Sequence, residues 1–425
     1  MAKILLINAI NPNSEIQWRF PPLGLGYLAA SVPGHDVRIV DRGIEKELDN
    51  FRPDVVGITA VTQNYKIACQ HARAAKIRGL PVIMGGVHIS ALPGTLSPDM
   101  DLAVIGEGET VFPQIIQHYV ETGELRAFDA PLIKPLDKIP HPVRNNVGHH
   151  AAVFSSRGCP YRCYFCFSSR FWGTVRFFSA EYVVEELREL VSRGVRRISF
   201  HDDLFIADEN RLYQLVELIR RDTKLSRLKF RVNARANMIN ERTAFMLSQM
   251  HVDSVGLGLE SGNQRVLRIL KGGRINVEDN YAAIVKLHKN QISANASFVI
   301  GYPDETKEEL MDTYRFIKES DIDFFDIYVL TPYPGTPAWA DAKATGKVSD
   351  DMDWARLNVD YGQNRDPVIV SANISKPEMD GIYRKFRRHR LLRAARRIYF
   401  NPMFGDVCRA GMYKVGNKLG FKGSH

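Results

Sequence analysis

Three of the five cysteines in this 425-residue chain fall within eight residues: Cys159, Cys163 and Cys166. They lie in the segment Ser155-Ser156-Arg157-Gly158-Cys159-Pro160-Tyr161-Arg162-Cys163-Tyr164-Phe165-Cys166, spaced Cys-x3-Cys-x2-Cys. Thiolates are soft ligands that suit iron–sulfur clusters or zinc. A structural zinc site is closed by four ligands, and no fourth Cys or His completes this one. Three thiolates on a cubane leave one iron with an open position, which a reactive cluster needs. A disulfide framework calls for even pairing and an oxidising compartment, so the clustered trio points to a metal. Cys69, in a predicted helix over Asn64–Ile77, and Cys408, in the C-terminal tail, read as structural thiols.

Such a loop needs a scaffold, and residues 151–330 supply alternating strands and helices. Strands are predicted at Ala152–Ser155, Arg197–His201, Lys229–Asn233, Ser254–Leu257, Ala294–Ile300 and Phe324–Leu330. Helical patterns fall between them at Ala180–Ser192, Asn210–Arg220, Glu241–Met250, Val277–Lys289 and Lys307–Glu319. This gives six βα-like units, fewer than a closed eight-stranded barrel, so an open parallel barrel with its site at the carboxyl ends of the strands is expected. Residues 1–125 alternate as well, with strands predicted at Lys3–Asn8, Asp36–Val40, Asp54–Thr59, Pro81–Met84 and Leu102–Ile105 and helices at Asn64–Ile77 and Thr110–Tyr119. That pattern argues a Rossmann-like parallel sheet. Residues 126–150, broken by Pro131, Pro135, Pro140 and Pro142, read as a linker. The barrel is expected over 151–337, and 338–425 form a mostly helical extension.

Cys-x3-Cys-x2-Cys after the first barrel strand, with Phe165 before the last cysteine, resembles the radical S-adenosylmethionine (AdoMet) superfamily. The resemblance implies a 4Fe-4S cluster on Cys159, Cys163 and Cys166 whose open iron is chelated by the amino and carboxylate groups of AdoMet. Reduction then cleaves AdoMet to a 5′-deoxyadenosyl radical, and the electron comes from a donor such as flavodoxin or ferredoxin. Later segments follow the family in order. Phe200-His201-Asp202-Asp203 stands where relatives hold the AdoMet amino group, with Asp202 and Asp203 replacing the commoner Gly-Gly-Glu. A carboxylate suits an ammonium, and an aspartate there also suits a helix cap. Arg235 matches an AdoMet carboxylate as a guanidinium fork, or a barrel-rim ion pair. Glu260 and Ser261 lie where relatives hold the ribose and methionine moiety. Gly301 falls in the adenine-side segment, where a glycine permits close backbone approach. Phe165, Phe167, Phe171 and Trp172 crowd the cysteine loop, where they exclude water or simply pack together.

The N-terminal half resembles the cobalamin-binding domain of the class B radical AdoMet enzymes. The matching segments are Pro21–Ala30, Gly57-Ile58-Thr59, Gly85-Gly86-Val87-His88 and Gly106-Glu107-Gly108-Glu109. The resemblance implies cobalamin near Thr59, Gly85, Gly86, His88, Gly106, Glu107 and Gly108. It extends to Thr331–Pro337 and covers the chain to about residue 345. The Asp-x-His-x-x-Gly motif of methionine-synthase-like domains is absent. No histidine is therefore assigned as lower cobalt ligand, and His88 reads either as a corrin neighbour or as a hydrogen-bonded loop residue.

The resemblance implies cobalamin-dependent methylation of an unactivated carbon. A non-methylating cyclisation, rearrangement or oxidation remains open, and so does a sensor without catalysis. The lack of an N-terminal cysteine trio argues against a tRNA-modifying methylthiotransferase. The net charge is +9, with basic residues crowded from Arg384 to Arg397. The apolar Ile382, Phe386, Leu391, Leu392, Ala395, Ile398 and Tyr399 are interleaved among them. That helix suits either a solvated face or peripheral contact with a membrane delivering a lipid-like substrate. A small-molecule substrate is expected, with no specific nucleic acid. The N-terminus lacks signal-peptide features and no run is long enough for a membrane span, which places the chain in the cytoplasm.

Overall fold

The short aliphatic runs of the N-terminal half form one parallel sheet because each is bounded by residues that stop a strand. The computed structural model describes residues 1–11, 22–145 and 147–397, the last three by backbone alone. The elements run β1 (Lys3–Ala9), α1 (Leu23–Ser31), β2 (Asp36–Val40), α2 (Ile44–Phe51), β3 (Val55–Ala60), α3 (Tyr65–Ile77), β4 (Val82–Gly85), α4 (Val87–Ala91), β5 (Leu102–Ala103) and α5 (Val111–Thr122). The strand order is β2-β1-β3-β4-β5, all parallel. The order reverses between β1 and β3, and the crevice beyond the carboxyl ends of those two strands is where sheets of this kind take ligands. Helix α1 was hidden from a periodicity reading by Gly24 and Gly26, poor helix formers. Gly26 is there for contact: a Cβ on it would lie 2.5 Å from the Val143 carbonyl.

Residues 126–145 tie down rather than tether. Ile133, Leu136 and Ile139 are buried in the core of the second half. That half runs β6 (His150–Val153), β7 (Ser156–Arg157), α6 (Ser168–Phe171), β8 (Arg176–Phe177), α7 (Ala180–Ser192), β9 (Arg197–Phe200), α8 (Glu209–Arg221), β10 (Lys229–Ala234), α9 (Glu241–Gln249), β11 (Val252–Glu260), α10 (Gln264–Lys271), α11 (Val277–Lys289), β12 (Ser293–Ile300), α12 (Lys307–Glu319) and β13 (Phe324–Val329). Six parallel strands stand side by side in chain order, β6-β9-β10-β11-β12-β13, the open barrel the sequence predicts. The small antiparallel pair β7-β8 closes the base of the cysteine loop. Side-chain caps from Ser179, Asp208, Asn240 and Thr306 start α7, α8, α9 and α12, satisfying donors that a helix start leaves open.

The C-terminal extension carries α13 (Pro337–Ala344) and α14 (Lys376–Arg397). Trp339, Trp354 and Leu357 share a core with Ala9, Ile58 and Ala60 of the N-terminal sheet and Val266 and Leu270 of α10. The extension therefore fastens the two sheets together, with the carboxyl ends of both meeting across one interface. Residues 398–425, with Cys408, Ile398 and Tyr399, lie outside the described residues, as do Pro21 and Asn146.

Candidate active site

Two cavities meet at the cysteine loop. The first, about 440 Å³, is lined by Cys159, Cys163, Cys166, Phe165, Asp203, Arg235, Glu260 and Lys271, with the inward residues of β10 to β13 below them. The loop that carries the thiols is pinned on both sides. Tyr164 N–H donates to the Leu270 carbonyl at 2.9 Å, and the Tyr164 hydroxyl donates to Asp341 at 2.7 Å. All three cysteines are half-buried free thiols. Burial pushes the Cys159 thiol up and the Cys166 thiol up to about 11, so both shed a proton on taking a metal. Among the described residues no three His, Cys, Asp or Glu side chains converge on a single ion. A cubane differs in placing each thiolate on its own iron, and the donor set fits that group.

The two aspartates after β9 separate. Asp202 is fully buried and accepts from Ser155 N at 2.7 Å, Ser155 Oγ at 2.5 Å and Ser156 Oγ at 2.7 Å. It faces the strand before the cysteine loop, so the expectation that it meets AdoMet is corrected to a structural one. Asp203 lines the cavity and accepts from Ser168 Oγ at 2.6 Å. Both lie in the loop beyond β9, which ends at Phe200, and only Asp203 of the pair reaches the site.

Glu260 reaches the site through an irregularity. The register between β11 and β12 slips between Gly258 and Glu260, and Glu260 sits at φ 61°, a region few residues other than glycine adopt. Its carboxylate lies 3.3 Å from Lys271 Nζ, which also donates to the Gly258 carbonyl at 2.8 Å. Burial raises the Glu260 carboxyl, against the pull of Lys271 and Arg235. Lys271 was missed by sequence reading because α10 spans only eight residues. Its neighbour Gly258 is the one readable signal, since a Cβ there would lie 2.4 Å from Glu260 Oε1.

Two expectations move out of the site. Ser261 is buried against Thr313, 3.0 Å from its Oγ1. Gly301 keeps its positive φ of 83°, but a Cβ on it would meet Met379 of α14 at 2.8 Å, so the close approach is to a helix and not to a ligand.

The second cavity, about 540 Å³, lies at the switch point of the N-terminal sheet. Asn8, Ala9 and Ile10 at the end of β1 and Val61, Thr62 and Gln63 after β3 form one wall. Phe167, Phe171 and Trp172 of the cysteine loop, with Tyr333 and Pro334, form the other. Asp203 lines both cavities. The lining is mostly apolar, and Val61 and Val87 present open hydrophobic surface there. Gly106, at φ 85°, has no heavy atom within 4 Å of a would-be Cβ, and Gly85 meets only the Val104 carbonyl at 4.0 Å. Neither glycine lines the cleft itself, and it is the apolar lining at the switch point that fits a large flat ligand.

The remaining N-terminal candidates serve other ends. Gly86 sits at φ 95° with Thr59 Oγ1 2.4 Å from its would-be Cβ, so Thr59 lies behind the turn. His88 is fully buried, stacked on Tyr65 at 3.9 Å and edged by Trp354 at 4.9 Å, with Nε2 3.1 Å from Thr95 Oγ1. Burial pushes it down to about 4, so it is neutral, and it does not line the cleft. Gly108 abuts Leu28, 3.0 Å from its would-be Cβ. Glu107 is buried between Arg157 and Arg176, accepting at 2.5 and 2.6 Å. Burial pushes its carboxyl up, but the hydrogen bonds of Arg176 and Arg157 outweigh that and hold it below the ordinary range.

Residues 153–317 match the radical SAM superfamily and residues 13–116 the B12 binding domain. An uncharacterized methyltransferase, PH0819 of Pyrococcus horikoshii, is 32% identical over 405 residues, covering 86% of each chain. The chain belongs to the radical SAM superfamily, among its cobalamin-dependent members. The anaerobic magnesium-protoporphyrin IX monomethyl ester cyclase of Cereibacter sphaeroides is 24% identical over 438 residues, 91% of this chain and 70% of that one. Among solved structures, the radical S-adenosylmethionine methyltransferase TsrM of Kitasatospora setae shares the fold, with TM-score 0.69 at 18% identity over 89% of this chain and 84% of that one. As a radical SAM enzyme the chain uses a 4Fe-4S cluster, AdoMet and cobalamin, acts on a small molecule and takes its electron from a donor. No helix among the described residues is long and apolar enough to cross a membrane.

Proposed function

We propose that this radical SAM enzyme transfers a methyl group to an unactivated carbon of a small molecule held between the two cavities. The observation that carries this reading is that Asp203 and the cysteine loop line both cavities. When bound, the cluster and AdoMet supply the hydrogen-abstracting radical and cobalamin supplies the methyl group. Cys159, Cys163 and Cys166 hold the cluster. Asp203 accepts from the AdoMet ammonium, and Glu260, braced by Lys271, accepts from its hydroxyl or ammonium groups. Phe165, Phe167, Phe171 and Trp172 keep water from the reacting carbon.

Methyl transfer leaves S-adenosylhomocysteine behind. With AdoMet and reductant under anaerobic conditions, its formation only when cobalamin is added supports the reading. Deoxyadenosine without S-adenosylhomocysteine in the presence of cobalamin would instead favour ring-forming or oxidative chemistry, the alternative that the cyclase relative supports.

The finer reading is a lipid-like substrate met at a membrane surface. On α14, Arg384, Arg387 and Arg388 share one face with Leu391 and Leu392, which are 64% and 53% exposed, while Met379 and Phe386 pack inward. Basic residues beside exposed leucines suit an anionic bilayer surface. Sedimentation with anionic liposomes should carry the protein down at low salt and release it at high salt. Failure to bind at low salt removes this part of the proposal.

A further inference from the structure

Arg235 is a buried cation, 4% exposed, at the floor of the cysteine loop. Its Nε donates to Asn237 Oδ1 at 3.1 Å, its Nη2 to the Lys271 carbonyl at 3.1 Å, and its Nη1 faces Cys163 Sγ at 3.7 Å. The guanidinium lies 4.1 Å from the centre of the Tyr161 ring. Among the described residues no carboxylate lies within ion-pair distance of it; Glu260, paired with Lys271, acts on it only from further off. A buried charge is retained where something opposite stabilises it. The one group in contact with Arg235 that turns anionic when metal binds is the Cys163 sulfur. Three other contacts fix the guanidinium before any ligand arrives.

We propose that Arg235 is a positioning residue that raises the reduction potential of the cluster. The inference rests on the reading that Cys163 is a cluster ligand. Reduction adds one electron from the external donor and one negative charge to the cluster. A fixed cation against a ligating sulfur stabilises the reduced form more than the oxidised one, since charges interact strongly where water is excluded, and hydrogen bonds to cluster sulfurs are a recognised lever on potential.

The test is the midpoint potential of the reconstituted full-length protein, followed by electron paramagnetic resonance without AdoMet, after iron and sulfide content confirm loading. Arg235→Gln should make reduction at least tenfold less favourable, equivalent to a fall of about 59 mV for a one-electron couple. Arg235→Lys, which keeps the charge but loses the fork and the ring contact, should fall by less. If Arg235→Gln does not load, Arg235→Lys decides alone: a midpoint below that of the wild type supports the proposal. An unchanged midpoint in a loaded variant overturns it, and unchanged midpoint with weakened AdoMet binding would assign Arg235 to the AdoMet carboxylate instead. A wild-type protein that takes up no cluster overturns the underlying reading and this inference with it.

Discussion

Arg157, two residues before the first cysteine of the loop, places its Nη1 2.5 Å from Oε1 of Glu107 on the N-terminal domain. Glu107 also accepts from Arg176 at 2.6 Å and from the Ile133 amide at 3.1 Å, and Glu109 takes the other arm of Arg157. Trp172 lies 5.1 Å from the Arg157 guanidinium. One buried carboxylate thus joins the sheet that faces the apolar cleft to the strand that launches the cysteine loop. The distance between the two halves of the site depends on it.

Replacing Glu107 with Gln should strip buried Arg176 of its counter-charge and leave Arg157 with Glu109 alone. A destabilisation of about 3–5 kcal/mol is expected, because the cost is that of unpaired buried charge. Urea unfolding of Glu107→Gln, Arg176→Gln and the double variant checks it. The double variant should lose less than the sum of the singles by about 1 kcal/mol or more. Strict additivity would show that the pair is not coupled.

Glu305 gives a pH dependence of defined sign. It accepts from the amides of Gly301 and Tyr302 at 2.6 and 3.2 Å, and burial pushes it up to about 7 from an ordinary 4.5. Between those values the folded chain binds the proton and the unfolded chain does not, so Glu305's contribution to stability is full below pH 4.5 and falls as pH rises to 7. The loss amounts to about 3 kcal/mol. Stability measured across that range should fall less in Glu305→Gln than in the wild type. Parallel curves would contradict the assignment.

Gly335 stands at φ 78°, and a Cβ there would lie 2.2 Å from the ring of Phe167, which lines the cleft. Gly335→Ala should cost about 1–3 kcal/mol through overpacking. Adding Phe167→Ala should recover part of that loss, leaving the cost of the positive φ. Thermal melts of the single and double variants report it, and no recovery would mean the ring is not what the methyl group meets.

Much of this arrangement was legible because it is local. The cysteine spacing, the six barrel strands and the five N-terminal strands announce themselves in short windows of sequence. The residues that resisted reading are those whose role is set at a distance. Glu107 looked like part of a ligand turn, and its partners Arg157 and Arg176 come from another domain. Asp202 and Asp203 are chemically identical neighbours, and only the course of the loop after β9 separates the buried one from the one in the cavity. Glu260 depends on a slipped register that no alternation pattern encodes. Gly301 has the positive φ its type suggests, but the crowding partner is Met379, 78 residues further on.

The central claim is that the three cysteines carry a cluster that cleaves AdoMet to a radical. It is tested most directly by quantifying 5′-deoxyadenosine from anaerobically reconstituted protein with AdoMet and a strong reductant. The wild type should form it, and Cys163→Ala, still folded by circular dichroism, should form none. Equal yields from the two proteins, or none from a fully loaded wild type, would contradict the account.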